Sequence, residues 1–406
     1  MFERPPFKDC GSCGQQSATG IVWISPSSFK RRCKFCKVST SHPLPDLDKQ
    51  VLYLDQFAIT AIFQTKTGKL APGAHHAKFW SEASGLLDRA IMRQQIICPA
   101  SNIHRDETIV HYDSEALGLA HEMLGGDTSF ENTTQIEHDQ IFDYLDAYLK
   151  GQNAPRLEFN VDEILHGSRN AWLQDIHITA QMDWSAFVED TRRARDDGAA
   201  NLVSLYDRWA TERPTFEQVL SHELSDAFAT YIGGYLHFMS KAAAAMKSGD
   251  NEGFMQGALA PVVSLIHEIN RVFTERGIPE AQALKETAKF FAWPQLQTLP
   301  AGWVSAHLFA AIADRLAKGQ KRYPTRGMSN DIKVISVYGP YVDAMFLDNE
   351  CADLLQQKSV AKGVNLKARI FCLKRKDEFL QYLQDLGDAA PVEVVEASRE
   401  LYGDLD

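Results

Sequence analysis

The stretch Val51-Leu-Tyr-Leu-Asp55 is a short apolar run that ends at an acid, as the first strand of an α/β sheet does. Helical sequence follows it, because apolar residues recur at three- and four-residue spacing over residues 57–63 and 77–93. Residues 95–98 then predict a second buried strand. This alternation of strands and helices predicts a parallel sheet covered by helices.

The same alternation returns near the end of the chain. An apolar run at 344–347 predicts a strand, residues 366–373 predict another, and residues 376–386 predict a closing helix. Between the two regions, amphipathic helices dominate from about residue 133 to 318, and strand signals are sparse. We therefore predict a split α/β domain with halves at 46–125 and 320–390, a helical insertion at 126–319 and a C-terminal tail at 391–406.

Residues 1–45 contain two CxxC pairs, Cys10 with Cys13 and Cys33 with Cys36, separated by nineteen residues. This spacing is typical of paired knuckles that close a tetrahedral zinc site. Short strands at 20–24 and 29–34 complete the pattern of a small zinc ribbon, and residues 39–48 predict a linker. Four thiolates leave no open position on the ion, so the zinc is expected to be structural. Four free or redox-active thiols are the alternative.

Charge restricts the possible partners. A net charge of −11 argues against a protein that coats nucleic acid along its whole surface. Basic residues nevertheless crowd the second cysteine pair between positions 30 and 37, with Trp23, Phe29 and Phe35 among them. Such a surface can grip phosphates and stack on bases, which indicates nucleic acid as a partner. A protein partner and a merely solvated face remain alternatives.

Two further features bear on location. No apolar run approaches the ~20 residues that a membrane span requires, so no transmembrane helix is expected. The first nine residues carry charges and prolines instead of an apolar core, unlike a secretory signal. We expect a cytoplasmic protein that makes no membrane contact.

Four acids stand where a parallel sheet would gather them. Asp55 and Asp348 end predicted strands, Glu107 lies on a helix that Ser101-Asn102 can cap, and Asp331 lies near the start of a helix. Converging carboxylates repel one another unless a cation neutralises them. Oxygen ligands suit Mg²⁺ or Mn²⁺, so the sequence predicts a divalent-metal site.

These segments resemble the PIN-like nucleases. The resemblance lies in Val51-Leu-Tyr-Leu-Asp55-Gln56, Cys98-Pro-Ala-Ser with His104-Arg-Asp-Glu107, Ser329-Asn-Asp331-Ile, Pro340-Tyr-Val-Asp343 and Met345-Phe-Leu-Asp348-Asn349. It covers about 46–125 and 320–390, and the wide separation of Glu107 from Asp331 departs from compact members.

The resemblance implies an α/β/α sandwich with a central parallel sheet, and a metal-dependent endoribonuclease activity. It implies that Asp55, Glu107, Asp331 and Asp348 bind one or two cations, with Asp343 as an additional ligand or a group that supports the ligands. A non-catalytic zinc-ribbon adaptor and a nuclease acting on DNA are the alternatives. Basic side chains near the acids can hold neighbouring phosphates: Arg105, Arg326 and Lys333.

Overall fold

A computed structural model describes residues 3–111, 113–172, 185–320, 323 and 325–403 of the chain. Ten strands are described, in three sheets: β1 Arg4–Lys8, β2 Thr19–Ile24, β3 Ser28–Cys33, β4 Ser39–Pro43, β5 Gln50–Leu54, β6 Ile96–Ile97, β7 Ser129–Phe130, β8 Leu165–His166, β9 Ala344–Phe346 and β10 Arg369–Phe371. The first four form an antiparallel sheet in the order β1-β2-β3-β4. The strands β10-β9-β5-β6 form a wholly parallel sheet, and β7 pairs with β8.

Helices make up most of the described chain. Those before the long central region are α1 Gln56–Lys66, α2 Ala77–Met92, α3 Asn102–Ile109 and α4 Ser114–Gly125. The central helices are α5 Thr133–Leu149, α6 Ser185–Glu212, α7 Phe216–Ser248, α8 Asn251–Ala258, α9 Pro261–Glu275, α10 Glu280–Phe291 and α11 Pro300–Ala317. The last are α12 Met328–Tyr338, α13 Asn349–Leu355, α14 Lys358–Gly363, α15 Lys376–Asp388 and α16 Val392–Tyr402.

The parallel sheet is buried on both faces, because alternate residues of its strands enter two different cores. Leu52, Leu54 and Phe346 pack with apolar residues of α1, α2, α4 and α15. Val51, Tyr53 and Met345 pack on the other face with α5, α11 and α12. Helices on both faces of a parallel sheet confirm the predicted mixed α/β organisation.

The central helices do not stand apart from the sheet. Ile266 of α9 and Phe290 of α10 belong to the same continuous core as Val51 and Met345. The described helices of the insertion predicted at 126–319 thus pack against one face of the sheet that ends at Asp55 and Asp348. Within the described ranges, no helix is both long and apolar enough to cross a membrane.

The N-terminal sheet docks on the end of the chain. Ile21 and Phe29 pack with Val394 and Leu401 of α16 and with Trp172. Residues 391–406 were predicted as a tail, and the structure corrects this, since α16 buries an apolar stripe against the sheet. Residues 39–48 were predicted as a linker, and this too is wrong for the first half, because β4 pairs with β3 and completes the sheet.

An ion pair fixes this docking. Arg31, only 3% exposed, donates through Nε to Glu400 Oε1 at 2.9 Å and through Nη2 to the Glu400 carbonyl at 2.7 Å. Its Nη1 donates to the carbonyl of Pro6 at 2.6 Å, and Lys8 also pairs with Glu400. One member of the basic cluster is therefore committed to the fold.

Candidate metal centre

Two neighbouring parallel strands bring the first pair of acids together. Asp55 directly follows β5, and Asp348 follows β9 with one residue between them. The Asp55 amide donates to the carbonyl of Phe346 at 3.0 Å. Parallel strands end at the same edge of a sheet, so both carboxylates lie at its carboxyl edge. They line a cleft of about 570 Å³ together with Glu107 and Asp331. The cleft is completed by Gln56, Phe57, Thr60, Ala61, Gln64 and Gly327.

A buried histidine holds the helix of Glu107 against the end of β5. Ser101 caps α3, and its own amide donates to His104 Nδ1 at 3.2 Å. The imidazole proton is therefore on Nε2, which donates to the carbonyl of Leu54 at 2.8 Å. The ring also stacks on Tyr53 with centroids 4.8 Å apart. These contacts place Glu107, one turn further along α3, opposite Asp55.

Asp331 enters from the first turn of α12. The adjacent Asn330 donates through Nδ2 to Glu107 Oε1 at 3.3 Å, which ties α12 to α3. A ligand atom of Asp331, one of Asp348 and the sulfur of Cys351 all lie within 4.8 Å of one another, close enough to share an ion. The structure thus brings all four predicted acids into one cleft and adds a thiol to them.

Cys351 was not identified from the sequence as a candidate ligand. The Asp348 side chain caps α13 by accepting from the Cys351 amide at 2.7 Å. A residue three positions after a capping acid lies on the first helical turn beside it. The spacing Asp348-x-x-Cys351 was the signal that could have identified this thiol.

Three of the acids have a raised pKa, which favours their protonated forms: Asp55, Glu107 and Asp331. Burial, with the charges of Glu107 and Asp348, raises the pKa of Asp55 to about 7. Burial and the neighbouring carboxylates raise the pKa of Asp331 to about 9. Burial raises the pKa of Glu107, although Asn330 and Arg195 of α6 oppose the shift. A cation in the cleft would favour the charged forms of these acids, because it offsets their mutual repulsion.

The structure separates Asp343 from this group. Asp343 precedes β9, so it lies at the amino edge of the sheet, about 16 Å of strand away from Asp348. Its Oδ2 accepts from the Val51 amide at 2.8 Å, and its Oδ1 pairs with Lys367 at 3.1 Å. The prediction of Asp343 as a catalytic acid is corrected by this position, where it joins β9 to β5.

The three basic residues predicted to hold phosphate are each paired with an acid. Lys333 pairs with Glu137 of α5, and Arg326 pairs with Asp196 of α6. Arg105 lies 3.5 Å from Asp106 and is half exposed. Arg326 adjoins Gly327, which lines the cleft, so it is the best placed of the three.

The four N-terminal cysteines form a second cluster. Their sulfur atoms all lie within 4.8 Å of one another, with Cys10 to Cys36 at 3.6 Å and Cys13 to Cys33 at 3.7 Å. These separations are far longer than a disulfide bond, and they match the ~3.8 Å between thiolates that surround one zinc ion at ~2.3 Å. The cluster can bind a metal such as zinc.

Both cysteine knuckles have the same backbone turn. The fourth residue after the first cysteine has a positive φ in each, +70° at Gly14 and 64° at Lys37. The Gly14 amide donates to the Cys10 carbonyl at 2.8 Å, and the Lys37 amide to the Cys33 carbonyl at 3.2 Å. Burial raises the pKa of Cys33, but hydrogen bonds from the Cys36 and Phe35 amides and from the Cys36 and Cys10 side chains together lower it to about 6. A thiolate is the form that binds zinc.

Comparisons with protein-family models, curated proteins and solved structures found no match to this chain.

Proposed function

We propose that this chain is a metal-dependent endoribonuclease with a PIN-like α/β/α sandwich, a structural zinc ribbon and a helical insertion that restrains its substrate. The convergence of Asp55, Glu107, Asp331 and Asp348 in one cleft at the carboxyl edge of a parallel sheet carries the proposal. Packing alone gives no reason to bring four acids together at a cost of several kcal/mol. The need to bind a cation at the site of reaction would explain why they lie together.

The donor set fits the proposed cofactor. Carboxylate oxygens from separate elements suit Mg²⁺ or Mn²⁺, and Asp331 and Asp348 are near enough to share one ion. When bound, the cation activates water for attack on phosphorus and offsets the charge that builds on the phosphate. Cys351 lies beside these carboxylates as a neutral thiol, because burial and the charges of Asp331 and Asp348 raise its pKa.

The chain's own groups hold this arrangement in place. Asn330 orients Glu107 by donating to its Oε1, and the Cys351 amide fixes Asp348 by donating to its Oδ1. Thr60 and Gln64 of α1 give the cleft a polar wall that can contact phosphates or sugars. From the insertion, α6 reaches the mouth of the cleft, where Asp196 pairs with Arg326. Displacing Asp196 by a substrate phosphate would release Arg326 to bind it.

The other elements of the proposal concern zinc, location and substrate. Zinc at Cys10, Cys13, Cys33 and Cys36 holds the small sheet together and takes no part in the reaction. We place the enzyme in the cytoplasm, a reducing compartment in which its free cysteines stay available to metal. We propose RNA as the substrate because of the resemblance to PIN-like nucleases.

Cleavage of labelled single-stranded RNA in Mn²⁺ tests the proposal. Asp348→Asn should abolish cleavage, because it removes a ligand charge while asparagine still caps α13. Asp343→Asn is the matched control: the same substitution at the opposite end of β9 should leave cleavage intact. If wild-type protein fails to cleave RNA, or if Asp348→Asn cleaves as fast as wild type, the proposal is wrong.

Parallel substrates distinguish the alternatives. Cleavage of a DNA strand of the same sequence, with RNA untouched, would identify a DNA nuclease. Failure to cleave either, with no Mg²⁺ or Mn²⁺ site detected by calorimetry beyond tightly bound zinc, would identify an adaptor. RNA cleavage that requires Mn²⁺ and Asp348 is the result expected from the acid cleft.

A further inference from the structure

The N-terminal sheet has two chemically different faces. Phe29 and Arg31 of β3 point toward α16, where both are buried. Lys30 and Arg32 alternate with them and therefore point to the opposite face. That face, which we call the outer face, lies away from α16.

Three aromatic rings lie on or beside the outer face, and they are partly open to solvent. Phe7 is 44% exposed, Trp23 is 48% exposed and Phe35 is 58% exposed. Trp23 pairs with Lys30 across the strands, which places both on the outer face. The Phe7 ring lies over Gly20, where an added Cβ would come within 2.9 Å of it. Gly20 pairs with Arg32, so this ring is on the outer face as well.

Lysines interleave with these rings. The Lys30 ammonium lies 5.7 Å from the centre of the Trp23 ring. The Lys34 ammonium lies 5.6 Å from the Phe7 ring and 5.4 Å from the Phe35 ring, so it links the sheet to the second knuckle. Each ring thus has a cation beside it, within the range of a cation–π contact.

Charge separates this module from the rest of the chain. Residues 1–45 contain seven Lys and Arg but only two Asp and Glu, whereas the whole chain carries a net charge of −11. One of those two acids, Asp9, accepts from the Ser17 amide at 2.8 Å. The other, Glu3, lies beside Gly20 on the outer face, where Lys30, Arg32 and Lys34 outnumber it. The outer face is therefore a positive, aromatic platform on an acidic protein, and its charge is complementary to a phosphate backbone.

We infer that the outer face binds single-stranded RNA, with bases stacked on Phe7, Trp23 and Phe35 and phosphates held by Lys30, Arg32 and Lys34. The inference rests on the proposed function for its choice of RNA. Alternating rings and cations match a single strand, whose bases offer flat faces between regularly spaced charges. They match a protein partner poorly, because the cores of protein interfaces are depleted of lysine. The face would hold the substrate strand while the acid cleft cuts it.

Binding is measured apart from cleavage. The parent for every measurement is zinc-loaded full-length protein carrying Asp348→Asn, with fluorescence anisotropy of a labelled uridine-rich RNA as the readout and no Mn²⁺ added. Trp23→Ala with Phe35→Ala should weaken binding at least about tenfold, since two stacking contacts are lost. A duplex of the same length should bind more weakly than the single strand, because its bases cannot reach the rings.

Salt dependence tests the lysines. Lys30→Gln with Lys34→Gln should reduce the slope of log Kd against log salt by about 1.4, because each lost phosphate contact on a single strand removes about 0.7. Lys241→Gln with Lys285→Gln is the matched control, since both lysines are exposed on α7 and α10, away from the module. That pair should leave affinity and slope at the parent values. Zinc content and circular dichroism verify that every variant is folded.

Several outcomes would overturn the inference. These outcomes are a parent that binds no RNA, ring and lysine variants that bind as tightly as the parent, and a duplex that binds as tightly as the single strand. A parent that binds no RNA would contradict RNA binding by the outer face and would point to a protein partner instead. If the ring and lysine variants lose RNA binding but the wild-type protein cleaves no RNA, the proposed nuclease activity is refuted and RNA binding by the outer face is supported. The two proposals can therefore fail separately.

Discussion

Asp331→Asn tests whether the acids are crowded in the folded chain. The pKa of Asp331 is about 9 in the folded chain, whereas an aspartate in an unfolded chain has a pKa of about 4. The folded chain therefore binds more protons than the unfolded chain between these values. This group's contribution to stability is fully present below about pH 4 and is lost as the pH rises toward 9. Asparagine has no proton to lose, so the variant should not show this loss.

The size of the effect follows from the linkage between protonation and folding. A group that is protonated only in the folded chain lowers the free energy of unfolding by about 1.4 kcal/mol for each pH unit. From about pH 5 to about pH 7, wild type should lose up to about 3 kcal/mol relative to Asp331→Asn. In a chain of this length, that difference corresponds to a few degrees in the midpoint of thermal unfolding.

Scanning calorimetry of the zinc-loaded protein, without other divalent metals, measures this difference. The two midpoints should diverge steadily as pH rises, with the variant the more stable. Mn²⁺ at about a hundredfold excess over its Kd should then stabilise wild type by about 2.7 kcal/mol and the variant by much less. Asp343→Asn, at the other edge of the sheet, should follow wild type throughout. Parallel curves for wild type and Asp331→Asn would refute the crowding of acids.

Two further predictions concern the N-terminal module. Glu400→Ala should destabilise the docking of the module by about 1–3 kcal/mol, because it leaves the buried Arg31 with an unpaired Nε. Hydrogen exchange of the backbone amides in β2 and β3 should therefore become faster. Unchanged exchange would contradict the assigned ion pair. Removing zinc with a chelator should expose residues 1–45 to protease while the parallel sheet stays protected, because the small sheet depends on the ion. Limited proteolysis with mass spectrometry measures this, and equal protection with and without zinc would rule out a structural role.

Local patterns predicted the parts of the site that depend on strand ends. The apolar run before Asp55 ends at that acid, and the run between Asp343 and Asp348 has an acid at each end. Both runs contain buried parallel strands. The direction of β9 decides which of its two flanking acids reaches the cleft. Asp343 precedes the strand, so a parallel sheet places it at the amino edge. That signal was present in the sequence.

The elements that the sequence did not predict, β4 and the docked helix α16, depend on tertiary contacts. The β4 segment has no apolar alternation, and it forms a strand because β3 offers it an edge with which to pair. In contrast, α16 has a readable pattern: Val394, Ser398 and Leu401 recur at helical spacing and are buried. The docking of α16 on the N-terminal sheet joins residues almost 400 positions apart, and no local pattern indicates such a partner.

A crystal structure of the protein soaked in Mn²⁺, with data collected at the manganese absorption edge, tests the central claim most directly. We predict an anomalous peak between the carboxylates of Asp331 and Asp348, with Asp55 and Glu107 facing the same ion. Asp348→Asn crystals, soaked in the same way, should show a weaker peak or none. Manganese absent from this cleft at saturating concentration, with zinc bound at the four cysteines, would contradict the account.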